Sequence, residues 1–155
     1  MKEYIHYGHT KFHKGCFKPI KNTEFWTKPN GGLWASPVDT KYGWKDWCHS
    51  NEFRECKEDN MFKFILSENS KVLHLYSIND LKDLPICFSD KFYDTRMVYL
   101  DFEILSSEYD AIELHLSEEK YESFMDSLYY KLYGWDCDSI LIMNPDIICE
   151  IQRTS

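Results

Sequence analysis

Three carboxylates and one strand edge are the groups in this chain best suited to chemistry. Asp136 and Asp138 stand in Gly134-Trp135-Asp136-Cys137-Asp138-Ser139, between a glycine turn and the apolar run Ile140-Leu141-Ile142-Met143. A carboxylate where a buried strand begins is aimed at whatever the sheet edge lines. The spacing predicts that both acids project to the same side, where two close carboxylates would split their pKa values and one would keep its proton. Glu113 lies inside the alternating segment Tyr109-Asp110-Ala111-Ile112-Glu113-Leu114, on the strand face of Tyr109, Ala111 and His115. The same residue types also cap turns through backbone N–H groups.

The other end of the chain offers recognition rather than charge. In Tyr4-Ile5-His6-Tyr7-Gly8-His9, Gly8 removes a side chain from a strand, which weakens it unless something needs the backbone close. An open strand edge presents N–H and C=O side by side, the pattern that pairs with a carboxamide, and His6 and Tyr7 flank it with groups able to bond a ribose hydroxyl. Gly31-Gly32-Leu33-Trp34-Ala35-Ser36-Pro37 reads as a turn feeding a short strand. Trp34 and Ser36 share one face of that strand, and Trp34 is either a stacking plate for a flat ring or a core anchor. His6, His9, His13 and Cys16 have helical spacing but fall in strand and loop, so no metal set is expected from them. Gly-rich phosphate loops, Gly-x-Ser-x-Gly elbows and kinase signatures do not occur.

The elements that must hold these residues follow from periodicity. A first strand is predicted over 3–8, and a short strand ends at Pro37. A helix capped by Asp39 shows Trp44, Trp47, Cys48 and Asn51 on one face. Met61 to Leu66 and Lys71 to Ser77 read as a hairpin across Glu68-Asn69-Ser70, and Asn79 as the cap of a short helix. Helices are predicted over 99–107 and, capped by Ser117, up to Gly134. Strands are predicted over 109–116, 138–143 and 146–151. The pattern predicts a single α+β domain spanning all 155 residues.

Composition narrows the partners. Residues 1–57 carry ten Lys or Arg against six acids, and residues 58–155 carry eight against twenty. The basic half suits a phosphate-bearing small molecule, and the acidic remainder argues against a broad nucleic-acid footprint. Six scattered cysteines without a Cys-x-x-Cys, a polar N-terminus and no long apolar run predict reduced thiols in a cytoplasmic protein. Aromatic residues make up 17% of the chain, enough for an aromatic-rich core and for stacking on a ligand.

Taken in order, Ile5-His6-Tyr7-Gly8-His9-Thr10, Gly31-Gly32-Leu33-Trp34-Ala35-Ser36-Pro37, Tyr109-Asp110-Ala111-Ile112-Glu113 and the strand leading to Asn144-Pro145-Asp146 resemble the ADP-ribosyltransferase superfamily, in particular its small bacterial and phage-type members. With Gly8 aligned to the family glycine, the family histidine falls on Tyr7 and His6 stands one place early. With Asn144-Pro145 aligned, the family glutamate falls nearest Ser139, so the acid would come from Asp138, Asp136 or Glu113. The resemblance implies two packed, antiparallel-rich sheets with flanking helices and NAD as substrate in the cleft between them. The backbone at Gly8 would hold the nicotinamide carboxamide, and Trp34 or Tyr7 would stack on its ring. His6 or Ser36 would bond the ribose, and basic side chains from 11–28 would meet the pyrophosphate. The implied activity is mono-ADP-ribosyl transfer to a macromolecular acceptor, protein or nucleic acid, of a toxin or anti-defence type. An NAD glycohydrolase on the same fold, or a silent protein-binding inhibitor domain, are the alternatives.

Overall fold

The computed structural model describes residues 1–23, 28–88, 98–116 and 135–153. Their regular elements are β1 (Tyr4–Tyr7), β2 (Leu33–Pro37), α1 (Trp44–Ser50), β3 (Met61–Leu66), β4 (Val72–Leu75), β5 (Ile86–Phe88), β6 (Val98–Leu100), α2 (Phe102–Glu108), β7 (Ala111–Leu114), β8 (Ser139–Ile142) and β9 (Ile148–Ile151). The class is α+β, as the pattern predicts. Seven strands form one mixed sheet in the order β4-β7-β8-β2-β1-β3-β9, and β5 pairs with β6 in a separate ribbon. β4 and β7 run parallel, and the other neighbours are antiparallel.

β2 is the joint of the sheet. It pairs with β8 along Leu33, Trp34 and Ala35, but with β1 only at Ser36 and Pro37. Two half-sheets, β4-β7-β8-β2 and β1-β3-β9, are therefore joined at one short stretch. The sheet also curls: Tyr4 of β1 reaches Glu113 of β7 at 2.8 Å, past the two strands that lie between them in the order.

The curl divides the core. Inside it lie Tyr4, Phe62, Phe64, Ala111, Ile140 and Ile142. On the outer face, Leu75, Phe102, Leu105, Ile112, Leu114, Trp135 and Leu141 pack together. β8 is buried on both faces, which is why it reads as the unbroken apolar run Ile140-Leu141-Ile142. Each fully buried aliphatic or aromatic side chain contributes about 1.5–3 kcal/mol relative to exposure.

Several local expectations fail for identifiable reasons. β3 and β4 do not form a hairpin; β3 joins β1 and β9, while β4 docks on β7. The Ser67–Ser70 turn forms, but Lys71 then exchanges backbone bonds with the Asp110 region: its N–H donates to Asp110 Oδ2 at 2.8 Å, and Asp110 N–H donates to Lys71 O at 2.8 Å. Helix α1 starts after Gly43, not Asp39. Its first N–H groups are satisfied by Asp46, which accepts from Gly43 N–H, and by Ser36 Oγ, which accepts from Trp44 N–H. Residues Tyr99 and Leu100 extend β6, and α2 begins only after Asp101, whose carboxylate accepts from Ile104 N–H at 3.1 Å. The Ile78–Leu81 turn is 3₁₀ and follows Ser77 rather than Asn79. The helix predicted from Ser117 to Gly134 lies outside the described residues. Among the described residues, no helix is long and apolar enough to cross a membrane.

Candidate active site

The short pairing of β1 with β2 opens a seam. After Ile5↔Ser36 the two strands part, and the imidazole of His6 fills the place where the ladder would continue, its Nδ1 2.7 Å from the Trp34 carbonyl. A carbonyl only accepts, so Nδ1 carries the proton and Nε2 is left as an acceptor. Nε2 faces His9 Nδ1 at 2.9 Å, and the two rings stack. Burial lowers the pKa of His6, with His9 adding to the effect and the Trp34 carbonyl opposing it, so the ring is neutral near pH 7.

The alternation of β1 decides which peptide group faces the seam. Glu3 O accepts from Val38 N–H on the β2 side, and Gly8 N–H donates to Asn60 O on the β3 side. Odd-numbered residues therefore direct their backbone toward β2 and even-numbered ones toward β3. Tyr7 is the residue whose N–H and C=O border the opened seam. Gly8 is not: its N–H is spent on Asn60, and its φ of +122° explains the glycine without a ligand. The expectation that Gly8 offers its N–H at an open strand edge is not met, because that N–H is bonded to Asn60 O.

A cavity of about 260 Å³ lies at the seam. His6, Tyr7, Trp34 and Ser36 border it, as does Asp136 from the turn before β8. Trp34 meets Trp135 edge to face at 4.7 Å, and Lys28 Nζ stands 5.2 Å from the Trp34 ring centre. Burial lowers the pKa of Lys28, and the Asp136 carboxylate works against that shift. Arg54 brings a second cation to the wall. On the far side of His6 and Trp34, a further cavity of 240 Å³ carries His9, Lys11 and His13.

The three candidate acids separate. Asp136 lines the cavity. Asp138 does not: it is 4% exposed, accepts from Thr40 Oγ1 at 2.7 Å and borders a different cleft. The two aspartates diverge because residues 136–138 are a bend rather than extended strand, and Asp138 N–H is held by Tyr42 O. Glu113 is fully buried inside the curl, where Lys2 Nζ at 2.5 Å and Tyr4 OH at 2.8 Å donate to its two oxygens. It does not line the cavity either. Ser36 lines the cavity but is committed, since its hydroxyl oxygen accepts from Trp44 N–H at 2.9 Å and so holds the start of α1.

Sequence reasoning missed Trp135, Arg54 and Cys137 as cavity residues and took Lys28 only as one of several basic side chains. Trp135 had a signal, its place beside the acid turn. Arg54 had none, because it follows α1 in an irregular loop. Burial pushes the Cys137 thiol up to about 12, which disfavours the thiolate. The site thus offers one peptide edge, the indoles of Trp34, Trp44 and Trp135, a neutral imidazole acceptor, two cations and one carboxylate. Groups of these types can pair with an amide, meet a phosphate and offset positive charge next to the carboxylate. No family model, curated protein or solved structure matches the chain.

Proposed function

We propose that this cavity takes NAD as substrate and that the chain transfers its ADP-ribosyl group to a macromolecular acceptor. The observation that carries the reading is the opened β1–β2 seam, with Tyr7, the Trp34 and Trp135 walls and Asp136 around one space. The order of motifs that resembles the ADP-ribosyltransferase superfamily converges on the same space: His6, Tyr7, Trp34 and Ser36 come from its first two blocks and Asp136 from its last.

In this reading Tyr7 N–H and C=O pair with the carboxamide. Trp34 covers the nicotinamide ring, and His6 Nε2 exchanges His9 for a ribose hydroxyl. Lys28 and Arg54 face the pyrophosphate. The C1′–N bond breaks with its electron pair going to nicotinamide, which leaves neutral and needs no general acid. Asp136 stabilises the cationic sugar as it forms. The acceptor's nucleophile then bonds C1′, and its proton passes to Asp136 or to water.

Incubation of the chain and a cell lysate with NAD, followed by chromatography for nicotinamide and mass spectrometry for ADP-ribose on macromolecules, tests the proposal. Release of nicotinamide with label on a protein or nucleic acid is expected. Release with free ADP-ribose alone would assign water as the acceptor. Neither NAD binding nor consumption would end the reading.

A further inference from the structure

We propose that His74, Glu113 and His115 form a binding site for a first-row divalent transition metal ion, zinc foremost, separate from the cavity at the β1–β2 seam. His74 and Glu113 are register partners on the parallel strands β4 and β7, and His115 follows two residues later on the same face as Glu113. One ligand atom from each meets the others closely. His74 Nδ1 lies 3.0 Å from His115 Nε2, and Glu113 Oε2 lies 3.6 and 3.9 Å from those nitrogens. A triangle with these sides has a circumscribed radius of about 2.1 Å, so one point sits at zinc–nitrogen and zinc–oxygen bond length from all three atoms.

The surroundings support ligation. Tyr76 stacks on His115 at 4.2 Å and on His74 at 5.8 Å, fixing both ring planes. Tyr4 OH donates to Glu113 Oε2 at 2.8 Å, the kind of outer hydrogen bond that orients a ligating carboxylate. Lys2 occupies the other carboxylate oxygen, which leaves Glu113 one oxygen for the ion. His115 borders a cleft of about 520 Å³ that also carries Lys2, Asp39 and Asp138, and this opens the His115 end of the set to water. Two imidazoles with one carboxylate oxygen suit zinc or its first-row neighbours rather than calcium or magnesium, which take oxygen ligands.

Calorimetric titration of the chelator-treated full chain with Zn²⁺ tests the site. One equivalent is expected to bind, and Co²⁺ in its place should give the visible absorption of a four-coordinate ion. His74→Ala, at a half-exposed position, and His115→Ala should each weaken binding by more than the roughly 10–100-fold typical of losing an outer-shell partner; Tyr4→Phe should fall within that range. X-ray absorption at the zinc edge of the unsubstituted chain gives a readout that no folding defect can affect, and two imidazoles with oxygen are expected. Absence of stoichiometric binding, full affinity in both histidine variants, or a sulfur-ligated zinc would each overturn the proposal.

Discussion

Asp136→Asn is the most exposed test of the proposed chemistry, because the structure leaves Asp136 as the acid among the described residues that lines the cavity. Its effect is smaller than a bare charge count suggests. At an effective dielectric of 20, a unit charge about 4 Å from a carboxylate is worth about 4 kcal/mol. The nicotinamide glycoside, however, is cationic before it breaks, so only the movement of charge from ring to sugar counts. Bringing that charge from about 6 to about 4 Å gains about 1.4 kcal/mol, or tenfold in rate. A hydrogen bond from a ribose hydroxyl, strengthened as the sugar becomes cationic, adds about 1.5 kcal/mol. The sum predicts a fall in kcat of about a hundredfold, within the range for losing one electrostatic stabiliser. The assay is nicotinamide release at saturating NAD, with KM expected to change far less than kcat. Asp138→Asn is the control: that carboxylate is bound to Thr40 beside another cleft, so turnover should persist. Wild-type turnover in Asp136→Asn, with loss in Asp138→Asn, would refute the placement of the acid.

Two further outcomes follow from the seam. Gly8→Ala forces a side chain onto a backbone at φ +122°, where its Cβ meets His6 Nε2 at 3.7 Å in ordinary contact, so the cost is conformational, about 1–3 kcal/mol. A melting temperature lower by about 2–12 °C is expected in thermal unfolding, with NAD affinity unchanged; lost affinity at an unchanged melting temperature would return Gly8 to the carboxamide. For His6, the folded pKa lies below the usual 6.5 because of burial. The unfolded chain thus binds more protons between that lowered value and 6.5, so stability rises with pH across this window and is lost as pH falls through it. Urea unfolding across pH should show that slope in the wild type and a flatter one in His6→Gln, and turnover should fall on the acid side as Nε2 gains a proton. Higher turnover at acid pH would contradict the acceptor role.

Strand positions were legible where alternation and burial agree. β1, β2, β3, β7 and β8 fall inside their predicted segments, because period two is written into Phe62-Lys63-Phe64 and burial on both faces into the unbroken run Ile140-Leu141-Ile142. Pairing was not legible. β4 satisfies a hairpin with β3 as well as a parallel partner, and the choice depends on Asp110, some forty residues away in sequence, bonding Lys71. The same limit governs the sites. His6, Tyr7 and Trp34 were found because they border a glycine or a strand. Asp136 and Asp138 were wrongly placed on one side because the two-residue rule holds only for extended chain, and theirs is a bend. Glu113 and His115 share a strand face at a spacing of two, but His74 joins them only through the register of β4 on β7.

β1 is the part of the chain on which both sites depend. Tyr4 and His6 project to one face, Tyr4 toward Glu113 and His6 into the seam toward Trp34. Ile5 and Tyr7 project to the other, where both line the cavity. A slip of one residue would exchange the two sets, removing Tyr4 from Glu113 and the imidazole from the seam together. What opposes the slip is the ladder with β3. Tyr4 lies over Phe64 at 5.6 Å and His6 over Phe62 at 5.2 Å, while Phe62 and Phe64 contact each other at 5.9 Å. Each cross-strand pair contributes about 0.2–1 kcal/mol, and burying the two phenylalanines adds about 1.5–3 kcal/mol each. A slip would set Ile5 and Tyr7 against Phe62 and Phe64 and break the Tyr4–Glu113 bond inside the core, leaving a buried carboxylate short of a donor. The aromatic share that looks excessive for a chain of this length therefore has a positional use. Four rings on two short strands fix a register, and that register sets both the open seam and the tether on Glu113.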